Sequence, residues 1–374
     1  MRVLMLANPD SVHTLKWVRG LSSRGVEVLL LGLQAPRALS YAGLPGVRLE
    51  TAGVPARVTR GGEWSAAKLA YLAGVRRARA LARAWRPDVV HAHYLTSYGL
   101  VGALAGLRPL LVSVWGADIY ENPDRSWLHR RVARFALARA DRVSATSQVM
   151  ARRTRAFTAH DVRVIPFGID PAVFAPGREA TPFAPGDLVI GTVKTMHPKY
   201  GISVLIEAFA RLVARHPALP LRLLLVGGGP QLDALRALAA RLGVGDRTHF
   251  TGQVAMAEVP RHHRMIDIYA ALSTLDSESF GVAVIEAGAS GRPVVVSDVG
   301  GLPEVVRDGE TGLIVPRNDA TAAADALERL VLDPALRARL GAAGRAHVTA
   351  TYDFDRNLDQ MLALYAEMAP GAAR

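Results

Sequence analysis

The stretch Leu221-Arg-Leu-Leu-Leu-Val-Gly-Gly-Gly-Pro230 reads as a strand that runs straight into a glycine turn. Leu223, Leu224, Leu225 and Val226 make that strand apolar on both faces. A strand of this kind is covered on two sides, which is the habit of parallel sheets flanked by helices. Residues 231–242 follow with helical periodicity, so the segment is one strand–turn–helix unit.

The unit recurs on either side. Residues 188–193, 249–251, 268–271, 293–297 and 312–315 read as further strands, and 203–215, 319–332, 334–350 and 353–368 as helices. Asp353 or Asp355 would cap the last of these. The first half alternates in the same way. Its strands are 2–7, 26–33, 88–91, 110–114, 142–145 and 163–165; its helices are 14–23, 66–85, 98–105, 127–140 and 147–157. The expectation is α/β: two doubly wound domains facing a cleft at their strand C-termini, where open α/β sheets bind ligands. Four prolines and two glycines give 171–186 the composition of a linker between domains 1–170 and 187–352.

Composition agrees. A chain of 374 residues is long for a single core and suits two domains. No apolar run approaches the roughly 20 residues of a membrane span. The run 3–7 meets Asn8-Pro9-Asp10 and reads as a first strand rather than a signal peptide. The chain has no cysteine, which excludes disulfides, thiolate metal sites and cysteine nucleophiles. A cytoplasmic enzyme is expected. Net charge is +12, nearly all from arginine, since the only lysines are Lys16, Lys68, Lys194 and Lys199. Such a protein is drawn to anionic membranes or nucleic acid. No zinc-ligand array or aromatic platform motif is present, so nucleic acid is not an expected partner.

Chemistry concentrates in Asp276-Ser-Glu-Ser-Phe-Gly-Val-Ala-Val-Ile-Glu-Ala-Gly-Ala-Ser290. Glu278 and Glu286 flank a Phe280-Gly281 turn. A helix starting there would offer the backbone N–H groups of Phe280, Gly281 and Val282 to an anion. Two carboxylates beside an anion cradle suit a diphosphate joined to a sugar. Ordinary capping of a helix start explains the same letters. Residues 191–201, Gly-Thr-Val-Lys-Thr-Met-His-Pro-Lys-Tyr-Gly, form a strand-to-helix loop with Lys194 and Lys199. Ammonium groups there suit phosphate, although two exposed loop lysines would look alike. The glycine turns at 227–230 and 299–304 fit either a ligand or a tight connection.

In the first half, His13 and Thr14 follow the first strand and are candidates for diphosphate or acceptor. His91 and His93 end another strand on one face; with no third ligand nearby, no metal is predicted, and His93 joins His13 and Thr14 as a candidate for acceptor or diphosphate. Asp118, in Trp115-Gly-Ala-Asp118, is either an acceptor contact or a helix cap. Arg76, Arg77, Arg79 and Arg83 crowd one helix, and Arg130, Arg131, Arg134 and Arg139 another that begins at Trp127. Basic amphipathic helices lie on anionic membranes, or are simply solvated faces.

These residues together resemble a retaining glycosyltransferase of family 4 (glycosyl transferases group 1), with the GT-B fold of two Rossmann-like domains. The likeness runs through nearly the whole chain. It is carried by Pro87-Asp-Val-Val-His-Ala-His93, Val164-Ile-Pro-Phe-Gly-Ile-Asp170, residues 191–201, Leu225–Pro230, Phe250-Thr-Gly252, the Glu278–Glu286 pair and 299–304. Departures are Pro9-Asp10-Ser11 for the usual glycine pair, Trp115 for a common histidine, Phe167 for a common asparagine, and Tyr200 between Lys199 and Gly201.

The resemblance implies roles. Glu278 would contact the donor sugar, Glu286 the ribose, and Phe280, Gly281 and Val282 the sugar and distal phosphate. Lys194 and Lys199 would neutralise the diphosphate. Gly229 would lie at the donor, Val254 beside the base, and 353–374 would return to the first domain. Transfer of a hexosyl unit from a UDP- or GDP-linked sugar to a sugar, lipid-linked or small-molecule hydroxyl is expected, with retention and without a cofactor. Cell-envelope glycan or glycolipid synthesis would be its setting, with peripheral contact at an anionic membrane. The alternatives are an epimerase or phosphorylase on the same fold, or a non-catalytic nucleotide-sugar-binding partner.

Overall fold

Thirteen strands make two parallel sheets in the computed structural model, which describes residues 1–37, 40–55 and 70–371. The chain divides into two compact units, Met1–Phe167 with Asp355–Arg374, and Gly168–Phe354.

The first unit holds β1 (Arg2–Leu6), β2 (Glu27–Gly32), β3 (Val47–Thr51), β4 (Val89–His93), β5 (Leu110–Val114), β6 (Arg142–Ala145) and β7 (Val162–Val164). Their order is β3-β2-β1-β4-β5-β6-β7. The second holds β8 (Leu188–Val193), β9 (Leu221–Val226), β10 (Thr248–Gly252), β11 (Ile268–Ala271), β12 (Val294–Ser297) and β13 (Leu313–Val315), ordered β10-β9-β8-β11-β12-β13. Each sheet winds outward one way, returns to its centre, and winds out the other way. The turning point lies between β1 and β4 in one and between β8 and β11 in the other. The connections there leave on opposite faces and open a crevice at the strand C-termini.

Burial explains the pattern. Leu223, Leu224, Leu225 and Val226 of β9 are wholly buried, as two-sided apolarity requires. The helix Ile202–Arg215 buries Leu205, Ala208, Phe209 and Leu212 against the same core. Strand β3 was not anticipated. Arg48 and Glu50 break its apolar pattern because it lies at the sheet edge and is half-exposed. The helix expected over 98–105 begins instead as a wide turn, Tyr94–Gly99, and continues as Leu100–Ala105. Of the helix expected over 66–85, residues 66–69 lie outside the described residues; the helix is seen as Tyr71–Trp85.

Residues 171–186 belong to the second unit, held by Arg264 on Glu179 at 2.8 Å and by Arg345 on the Phe174 carbonyl at 3.2 Å. The last helix, Phe354–Met368, packs within the first unit. Tyr365 there meets His91 Nδ1 at 2.6 Å, and Arg24 reaches Asp355 and Asp359 at 3.1 and 2.6 Å.

Candidate active site

Lys194 is the first residue past β8, and the loop that carries Glu278 follows β11, so the two flank the turning point of the second sheet. Their side chains meet there: Nζ lies 3.2 Å from both Glu278 oxygens. Both are largely buried, and Ser273 Oγ approaches the second carboxylate oxygen at 3.5 Å. Burial alone would push the Lys194 ammonium down, but Glu278, Tyr200 and Tyr269 outweigh it and leave its pKa raised. The Glu278 contact thus favours the charged form of Lys194.

Lys199 joins the same cluster. Its Nζ donates to the Ser277 carbonyl at 2.7 Å. The Tyr200 ring faces both ammonium groups, 4.5 Å from Lys194 Nζ and 5.4 Å from Lys199 Nζ. Tyr200, read from sequence only as a departure from the family pattern, is a cation–π platform for both lysines. No periodicity could have marked it.

Two glycines fix the backbones of the charged pair. Gly227 has φ +135, and a Cβ there would drive into the Lys194 carbonyl; Gly300 has φ +53, and a Cβ there would drive into the Glu278 carbonyl. The Gly301 N–H also donates to that Glu278 carbonyl at 2.9 Å. Both glycine turns thus act as backbone clamps behind the ion pair.

The helix Val282–Ala289 begins at Gly281, which has φ +93 and no side-chain cap. Phe280 is buried, edge-on to Tyr352 with ring centroids 5.4 Å apart. Glu286, on the first turns of that helix, lies 3.4 Å from His263 Nε2, and among the described residues neither ring nitrogen of His263 has a hydrogen-bond partner. His263 is wholly buried, packed on Tyr269 and Phe174. It was not singled out from sequence, because the segment 261–264 reads as an exposed basic run. Val254 is half-buried beyond β10, and Gly229 is exposed after β9.

The first unit's turning point holds a separate cavity of about 550 Å³. Asn8 and Ser11 line it from the end of β1, His93 and Tyr94 from the end of β4, and Trp115 from the end of β5. His93 is buried, and neither nitrogen has a hydrogen-bond partner among the described residues; burial first, then His91 and His13, holds its pKa well below the ordinary value. It stacks near Trp115 at 4.3 Å, while His13 lies flat on Phe167 at 4.0 Å. Thr14 is buried, and its hydroxyl has no hydrogen-bond partner among the described residues. Asp118 is wholly buried. Its carboxylate accepts from the amides of Leu95 at 2.8 Å, Gly116 at 2.8 Å and Trp115 at 3.1 Å, which ties the loops after β4 and β5 together. Asp118 itself lies in the first turn of the short helix Ala117–Tyr120, whose cap residue is Gly116. Among the described residues, no group of three or more His, Asp or Glu side chains is placed to hold a metal ion.

Residues 175–347 match the family model for glycosyl transferases group 1, and residues 2–147 match that for glycosyl transferase 4-like proteins. The chain is similar to the D-inositol 3-phosphate glycosyltransferase of Actinosynnema mirum, 33% identical over 399 residues, covering 96% of this chain and 91% of that one. It is also similar to the GDP-mannose-dependent alpha-(1-6)-phosphatidylinositol monomannoside mannosyltransferase of Mycolicibacterium smegmatis, 33% identical over 268 residues, covering 67% and 68%. Among solved structures, the sucrose-phosphate synthase of Thermosynechococcus elongatus superposes with a TM-score of 0.82 at 23% identity, covering 98% of each chain. That last likeness is one of fold, the GT-B arrangement of two Rossmann-like domains.

Proposed function

Because this chain belongs to the glycosyl transferases group 1 family, we propose that it moves a hexosyl unit from a UDP- or GDP-linked sugar to a hydroxyl acceptor with retention of configuration. The observation that carries the proposal is the buried Lys194–Glu278 pair at the turning point of the second sheet. In this reading the donor's diphosphate lies against Lys194, Lys199 and the amide end of the helix Val282–Ala289, and its ribose against Glu286. Glu278 receives the sugar hydroxyls. As the glycosidic bond breaks, charge grows on the leaving diphosphate, and preset cations stabilise it without reorganising. Glu278 has both oxygens engaged by Lys194, which makes it a poor nucleophile and favours departure and attack on one face of the sugar. The departing phosphate then takes the acceptor proton. No cofactor or metal is needed.

The cavity at β1 and β4 is assigned to the acceptor. A volume of about 550 Å³ suits a sugar, a lipid headgroup or another small polyol. His93, neutral and without a hydrogen-bond partner among the described residues, would hydrogen-bond an acceptor hydroxyl there; His13 and Thr14, outside the cavity lining, are proposed only for the diphosphate or acceptor side. The enzyme is placed in the cytoplasm, at the inner face of an anionic membrane, in cell-envelope glycan or glycolipid synthesis. The relatives that act on inositol phosphate and on a phosphatidylinositol glycoside support that setting.

The test is donor turnover with and without acceptor, with the product anomer read by NMR. Lys194→Ala should lower kcat about a hundredfold to a thousandfold, and Glu278→Ala should abolish transfer. Full activity in both variants would overturn the site. Donor conversion that needs no acceptor would point instead to an epimerase.

A further inference from the structure

The first unit carries a helix layer with an unusual outer surface. Tyr71–Trp85, Leu100–Ala105 and Trp127–Arg139 pack side by side. They contain eight arginines and not one acidic residue. Among the described residues, ten large hydrophobic side chains are exposed, and five belong to this layer: Leu72, Leu104, Trp127, Leu128 and Phe135. Trp127 is the extreme case, 73% exposed at a helix start capped by Ser126. On the helix Trp127–Arg139, Ala133, Ala136 and Leu137 face the core, which turns Trp127, Arg131, Arg134 and Phe135 outward together. Arg76, Arg83, Arg131 and Arg134 have neither an ion pair nor a hydrogen bond among the described residues.

We propose that this layer docks on an anionic phospholipid bilayer. Three features select that partner. Unpaired guanidinium groups attract anionic headgroups, each worth a several-fold change in binding. An exposed tryptophan prefers the headgroup boundary, where its ring is half in water. Leu72, Leu104 and Leu128 gain nothing from a phosphodiester backbone but bury well at the edge of the acyl region. The proposal deepens the membrane placement above, and it names the surface that makes the contact. Binding is measured without donor or acceptor, so it stands or falls apart from the transfer reaction.

The experiment is co-sedimentation of the full chain with phosphatidylcholine vesicles, with and without phosphatidylglycerol, while tryptophan emission is followed. The protein should pellet only with the phosphatidylglycerol vesicles, with a blue shift that Trp127→Phe removes. Arg131→Glu with Arg134→Glu should weaken binding by roughly thirtyfold or more. Trp127→Ser with Leu128→Ser should weaken it about tenfold. These positions are exposed and touch no site residue, so melting and turnover of a soluble acceptor should be unchanged. Arg236→Glu with Arg241→Glu, on an exposed face of the second unit, should leave binding as it was. Equal pelleting on both vesicle types, or none, overturns the proposal. So does undiminished binding by the Trp127/Leu128 variant, which would mark a general polyanion contact such as RNA. An equal loss in the Arg236/Arg241 variant would do the same.

Discussion

Gly300 and Gly309 share a left-handed backbone but differ in what surrounds them. A Cβ at Gly300 would meet the Glu278 carbonyl, whereas one at Gly309 would meet nothing within 4 Å. Gly309→Ala should therefore cost only the conformational term, about 1–2 kcal/mol. Gly300→Ala should cost more and also shift Glu278 off Lys194, so kcat falls while the Gly309 variant keeps it. Denaturant unfolding and initial rates separate the two, and equal rates in both would refute the clamp. His263 makes a second prediction. Replacing it with Phe keeps the packing on Tyr269 but removes the polar neighbour of Glu286, so donor KM should rise with kcat nearly unchanged. A fall in kcat alone would detach His263 from ribose binding. These cases mark the limit of sequence reading at this scale. Lys194, Glu278 and Glu286 could be singled out because lysines in a strand-to-helix loop and two carboxylates about a helix start form a recognisable pattern, although capping or exposed loop charges would read the same. Tyr200, His263 and the clamping role of Gly300 were not, because each acquires its meaning from a neighbour distant in sequence.

Elements were legible where one physical rule acted alone. β9 declared itself because only a strand covered on both sides is apolar on both faces. β3 did not, since an edge strand tolerates Arg48 and Glu50 and shows no clean alternation. The Tyr94–Gly99 turn hid behind helical letters. Tyr94 takes φ +76, a costly value for a non-glycine residue, right where β4 opens into the cavity. The last helix was legible as a helix, and the resemblance implied its return to the first domain, but not the contact it makes there. It is tied to the sheet by a buried chain in which Tyr365 meets His91, His91 meets Ser113, and Ser113 meets Ser144, each at 2.6 Å. Tyr365→Phe should lower unfolding free energy by about 1 kcal/mol, with the loss seen in denaturant titration. No loss would mean the phenol is not bonded to His91.

Across the molecule, one strand order appears twice, and each copy gathers its unusual side chains at the same turning point. The second copy gathers cations and carboxylates; the first gathers neutral rings. That difference has a consequence for stability. Burial holds His91 down to about 3 in the folded first unit, against an ordinary 6.5, and His93 shifts the same way. Above pH 6.5 both histidines are neutral whether the chain is folded or not, and full stability is present. As pH falls below 6.5 the unfolded chain takes up protons that the folded sheet refuses, in the case of His91 until near pH 3. Stability should then drop by up to about 1.4 kcal/mol per pH unit for each histidine. Urea midpoints measured from about pH 7 down to 4.5 should fall progressively. His91→Gln, whatever it costs at neutral pH, should make that fall shallower. An unchanged slope in the variant would show that His91 is protonated in the folded protein, and that the neutral chain from Tyr365 to Ser144 is wrong.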